Sequence, residues 1–181
     1  MTPQELENIK YPIGKYEFPG DVTNTEINAW IEVLDEFPGK LDELVRPLSD
    51  VQLNTPYRLQ GWTIRQLVHH IADSHMNALL RFKWTLTEKK PTIKAYDQVA
   101  FSLLADSLWA PVDISLDFIQ VLHSKWIFLL DRMNHKDFER EFIHPETQET
   151  IKLTWLLGHY AWHSEHHYAH IETILKKKGW I

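Results

Sequence analysis

The fourteen residues HYAWHSEHHYAHIE, 159 to 172, hold five histidines: His159, His163, His166, His167 and His170. Three more, His69, His70 and His75, stand in HHIADSH, so two short segments carry eight of the chain's eleven. Imidazole does two kinds of chemistry near neutral pH: it moves a proton, or it ligates a metal through a bare ring nitrogen. Spacing separates the two. Histidines at i and i+4 share one helix face and can both reach a single ion.

On a helix wheel of about 100° per residue with His167 at the origin, Leu156, Tyr160, Ile171 and Ile174 fall within about 40°. They mark the buried stripe. His163 lies within it at about −40°, while His159, His166 and His170 sit at its edge, about −60° to −100°. The pair His163/His167 therefore carries the metal-binding expectation. The alternative is a pair of packed core histidines, but each would then need a polar partner inside an apolar stripe. The zincin protease arrangement does not fit. There a Glu follows the first His directly and acts as base; here the order is His163-Ser164-Glu165-His166-His167, and Glu165 faces away.

A third nitrogen would come from HHIADSH. The apolar stripe of that segment runs through Ile64, Leu67, Ile71, Ala78 and Phe82. His69 points roughly opposite it, to solvent. His70 and His75 flank it on opposite edges, and periodicity leaves both open as ligands. Three histidines with open positions remaining is the arrangement of a catalytic metal. Imidazole suits zinc, nickel, copper and iron, so the ligands alone do not choose the metal. A fourth protein ligand, His75 or His166, would close the site and favour a non-catalytic metal-binding protein, a stress-linked buffer or sensor. Trp62, Tyr160 and Trp162 are expected as packing around the site.

Long helices must position these groups. Apolar residues at three-to-four spacing predict a helix from about Asn24 to about Ser49, kinked or split at Pro38-Gly39. Thr63 and Gln66 form a capping box that starts a second helix ending near Glu88. Residues 89–112 read as a long connection with a short helix near Gln98–Ala105. A third long helix is expected from Asp113 to Met133, two extended pieces around a turn in EREFIHPETQETIKL, and a last helix from about Thr154 to Lys178 stopped by Gly179. The result is an all-α four-helix bundle with short extra helices and a small hairpin before the last helix. Residues 1–181 form one domain, with residues 1–22 as an N-terminal arm. Bundles build metal sites from side chains that project inward from facing helices.

Composition limits the functions. The chain's 181 residues suffice for one sizeable core. The net charge of −6 and the absence of a basic run longer than Lys176–Lys178 argue against nucleic-acid binding. There is no cysteine, which removes thiolate metal sites and a Cys nucleophile. No export signal and no membrane span are read, so the cytoplasm is the expected location.

GWTIRQLVHHIADSHMN, followed far downstream by YAWHSEHHYAHI, resembles the DinB/YfiT-like superfamily, its YfiT branch in particular, from YPIGKY to the end of the chain. The resemblance implies a four-helix bundle holding a metal by three histidines. By position these are His70, which opens HIAD, and His163 and His167; the first of these selects His70 over His75. It also implies one zinc or nickel ion per chain, a homodimer, and a small-molecule substrate. Two activities follow from it: hydrolysis by a metal-activated water, or transfer of a low-molecular-weight thiol such as bacillithiol onto an electrophile. The nucleophile would be the metal-bound water or thiolate, and no side chain is assigned as general base. Asp73, three residues after His70, is placed toward solvent by the wheel.

Overall fold

The structure is a computed structural model that describes residues 2–181. Its helices are α1 (Pro3–Lys10), α2 (Asn24–Val45), α3 (Asp50–Leu53), α4 (Ile64–Thr87), α5 (Gln98–Phe101), α6 (Ala105–Trp109), α7 (Val112–Leu130), α8 (His135–Phe138) and α9 (Leu153–Lys178). One antiparallel hairpin joins β1 (Glu141–Ile143) to β2 (Thr150–Lys152), with Phe142 opposite Ile151. The long helices α2, α4, α7 and α9 make the four-helix bundle: α2 and α4 each pack against both α7 and α9.

Local chemistry sets the ends. The Thr63 hydroxyl accepts from the Gln66 N–H at 3.2 Å while the Gln66 side chain accepts from the Thr63 N–H at 3.0 Å, so the expected capping box forms. Thr23 and Glu26 do the same for α2. Gly179 ends α9 in the left-handed region, φ 66°, where a Cβ would be strained.

Three expectations about elements change. The N-terminal arm contains α1. The helix over Pro38 is neither split nor extended to Ser49; α2 runs unbroken to Val45. Neighbouring helices hold it in place, and Pro38 and Phe37 are both buried. The connection 89–112 carries α6 as well as α5, and α6 lies against α4. The arm also reaches the bundle. A Cβ on Gly158 of α9 would stand 2.5 Å from the Tyr16 hydroxyl and 3.0 Å from the Trp30 ring, so only glycine permits this close approach.

The core has two apolar clusters. One gathers Leu34, Phe82, Trp126 and Leu157; the other gathers Leu41, Ile64, Leu67, Ile71 and Ile119. His75, fully buried, touches both: its ring lies 6.2 Å from that of Trp126 and 5.6 Å from that of Phe37. A layer of histidine thus crosses the bundle between the two clusters.

Candidate metal centre

Helices α4 and α9 bring His70, His163 and His167 together, with one ring nitrogen from each lying within 4.8 Å of the other two. All three side chains are buried. The Nε2 atoms of His163 and His167 face each other at 3.1 Å, and the His70 ring stands edge-on to His167 at 5.1 Å. Trp62 backs His70 at 4.7 Å between ring centres. A second group, His166, His167 and His170, is as closely spaced and shares His167; there the Nδ1 atoms of His167 and His170 lie 3.4 Å apart.

Burial keeps these rings neutral. It lowers His70 to about 4, and it pushes His163 and His167 well below the ordinary histidine range, with neighbouring imidazoles adding to the effect. Neutral imidazole is the form that ligates a metal. Two nitrogens about 2.0 Å from one tetrahedral ion stand roughly 3.3 Å apart, close to the separation of the two Nε2 atoms. Three neutral nitrogen donors and no thiolate suit a borderline divalent ion, so the residues present fit the group.

The same burial makes stability depend on acid. His70, His123, His159 and His170 titrate at about 4 in the folded chain, chiefly because they are buried. In an unfolded chain histidine titrates near about 6.5. Above that pH neither state binds the proton and nothing is lost. As pH falls toward about 4, the unfolded state takes up protons that the folded state refuses, so stability drops. Several such histidines act in the same direction, so the loss accumulates as pH falls. The metal-free protein should therefore unfold cooperatively between about pH 6.5 and 4, as followed by circular dichroism. Undiminished stability at pH 4 would contradict these burials.

The other histidines fall differently from the wheel. His69 is buried, not solvent-facing. The start of α7 and the turn before it cover that face of α4: His69 Nε2 donates to the Ala110 carbonyl at 3.2 Å, and Nδ1 pairs with the Ser115 hydroxyl at 2.7 Å. His166 is also buried, stacked on Trp162 at 4.4 Å and near Tyr11 of the arm at 5.9 Å. His159 stacks on Trp155 at 4.8 Å. His75 turns away from His70 and toward α7, where its Nδ1 pairs with His123 Nε2 at 2.7 Å; its Nε2 pairs with His163 Nδ1 at 3.1 Å. His123 escaped the sequence reading because it stands alone in α7, although its position in an apolar stretch was a signal. Asp73 is half-buried rather than solvent-facing. Burial, with Asp106 adding, raises it to about 6. It is not among the residues lining either cavity beside the histidines.

Those cavities meet at the site. One, of about 630 Å³, is walled by Tyr57, Trp62 and Trp162 and reaches His70, His163 and His167. The other, of about 560 Å³, reaches His163 from the side of Arg81, Tyr96 and Tyr160. His159, Gln98 and Val99 line both. Trp62 and Trp162 are thus cavity wall as well as packing.

The profile of the DinB superfamily matches residues 34–171. The chain is 47% identical over 173 residues to a Bacillus subtilis protein named "Putative metal-dependent hydrolase YfiT", covering 96% of this chain and 97% of that one. A Bacillus pumilus protein named "Putative metal-dependent hydrolase" is 46% identical over 175 residues, covering 97% and 99%. The solved structure of YfiT from Bacillus subtilis, described as "a probable metal-dependent hydrolase with an unusual four-helix bundle topology", superposes with a TM-score of 0.94 over 96% of this chain and 99% of that one. Fold, length and sequence agree throughout: the chain belongs to the DinB superfamily.

Proposed function

We propose that the chain is a metal-dependent hydrolase of small molecules, with one zinc or nickel ion per chain held by His70, His163 and His167. The observation that carries this reading is the convergence of three buried, neutral imidazoles from two helices at the meeting point of two cavities. The names of the relatives support the same class. A divalent ion with open positions supplies Lewis acidity, which makes a water or a thiol nucleophilic near neutral pH.

The chain's own residues do the rest. Tyr57, Trp62 and Trp162 offer an aromatic wall for an apolar part of the substrate. Tyr160 donates to the Ser74 carbonyl at 3.1 Å and holds the second cavity's wall against His163. A homodimer is part of the proposal. Ile114, Phe118, Val121 and Phe128 stay exposed along α7, and a second copy would cover this apolar stripe.

The test is a turnover assay of zinc- or nickel-loaded protein on a panel of esters and amides, with and without a chelator. Hydrolysis that needs the metal and no thiol is the expected result. Product formed only when a low-molecular-weight thiol is supplied with an electrophile would assign thiol S-transfer instead. Metal binding with neither reaction would leave a non-catalytic metal-binding protein.

A further inference from the structure

Two backbone carbonyls determine which ring nitrogens at the site carry protons. A carbonyl oxygen can only accept. His123 Nδ1 lies 2.6 Å from the Leu34 carbonyl and must donate to it. In a neutral ring Nε2 is then bare, so it accepts from His75 Nδ1 at 2.7 Å. His75 Nε2 is bare in turn and accepts from His163 Nδ1 at 3.1 Å. The chain ends by leaving the His163 Nε2 lone pair facing the site.

A second chain arrives from the other side. His170 Nε2 donates to the Lys10 carbonyl at 3.1 Å, which leaves its Nδ1 bare. His167 Nδ1 lies 3.4 Å from that nitrogen and donates to it, the longest link of the two chains. His167 Nε2 is therefore also bare. The two lone pairs meet at 3.1 Å. At that distance they repel each other, and one shared cation satisfies both. The Ser74 hydroxyl, 3.5 Å from His163 Nε2, stands at the limit of hydrogen bonding and has the Tyr160 oxygen nearer, at 3.2 Å.

The proline inside α2 belongs to this scheme. In a helix the N–H of residue i+4 normally takes the carbonyl of residue i. Four residues after Leu34 stands Pro38, which has no N–H to give. The Leu34 carbonyl is left free for His123.

We propose that His75, His123 and His170 are positioning residues. Through two hydrogen-bond chains ending on the Leu34 and Lys10 carbonyls, they hold His163 and His167 in the tautomer that presents Nε2 to the metal. The proposal rests on the three-histidine reading above. Outer partners of this kind fix a ligand's tautomer and ring orientation, and losing one typically weakens metal binding roughly 10–100-fold.

The first test needs neither metal nor mutation. Long-range nitrogen–proton spectra of metal-free protein labelled with 15N-histidine should show His163 and His167 protonated at Nδ1 and bare at Nε2. A proton on Nε2 of either ring as the main form would overturn that ring's chain. The second test measures zinc affinity by competition with a chromophoric chelator. His75→Leu and His170→Leu remove the acceptor and should weaken zinc roughly 10–100-fold. His75→Gln and His170→Asn put an amide oxygen where the accepting nitrogen was, and should recover most of the loss. Equal weakening by leucine and amide variants would reduce these residues to packing and refute the proposal. So would a second zinc bound by His166, His167 and His170, which would make His170 a ligand. If the leucine variants do not fold, the wild-type spectrum still decides. If the protein binds no zinc at all, the metal reading fails while the tautomers remain measurable.

Discussion

Replacing His70, His163 or His167 with alanine should each abolish stoichiometric metal binding. The site draws three nitrogens from two helices, and the remaining positions of a catalytic centre belong to solvent and substrate. Two neighbouring imidazoles are already engaged in hydrogen bonds and do not replace a lost ligand: His75 is committed to His123 and His163, and His170 to Lys10 and His167. The loss should exceed the roughly 10–100-fold seen when only an outer partner is removed, and any metal-dependent turnover should vanish with it. His69→Ala is the matched control. His69 is equally buried, but it bonds to Ala110 and Ser115 instead. It should keep its metal while losing about 1–3 kcal/mol of stability from the groups left unpaired. Full metal content in any of the three ligand variants, measured by elemental analysis of untagged protein, would remove that residue from the site.

The second large effect is expected from Trp126→Ala. Trp126 is fully buried, and its ring meets Phe82 at 5.5 Å, Tyr160 at 5.7 Å and His123 at 5.8 Å. Truncation would open a cavity between α4, α7 and α9 and cost about 3–5 kcal/mol. It would also remove the ring beside the His75–His123 pair. Trp126→Phe should cost much less, because the buried Trp126 Nε1–H has no hydrogen-bond partner among the described residues and phenylalanine removes it. Urea denaturation of the metal-free proteins checks both. A loss below about 1 kcal/mol for the alanine variant would mean that this part of the core repacks freely.

Much of this architecture was legible because it is local. Thr63 and Gln66 announce the start of α4, Gly179 the end of α9, and the i, i+4 pair His163/His167 lies on the stripe that faces inward. The choice of His70 over His75 was not local: it needed the family resemblance. The structure brings His70 into the three-nitrogen group and turns His75 toward α7. What the wheel could not see is what covers a helix from outside. His69 looked solvent-facing until the chain before α7 folded over it, and His166 stood at the stripe's edge until the arm with Tyr11 came against it. Pro38 read as a helix breaker by its local chemistry. Its place four residues after the carbonyl that His123 uses appears only once α2 and α7 are side by side.

The most direct measurement is a crystal structure of zinc- or nickel-loaded protein, with anomalous scattering collected at the metal's absorption edge. One strong peak per chain is predicted, within bonding distance of a nitrogen from each of His70, His163 and His167, on the Nε2 side of the last two. A peak seated among His166, His167 and His170 instead, or no peak at all from protein soaked in excess metal, would contradict the account.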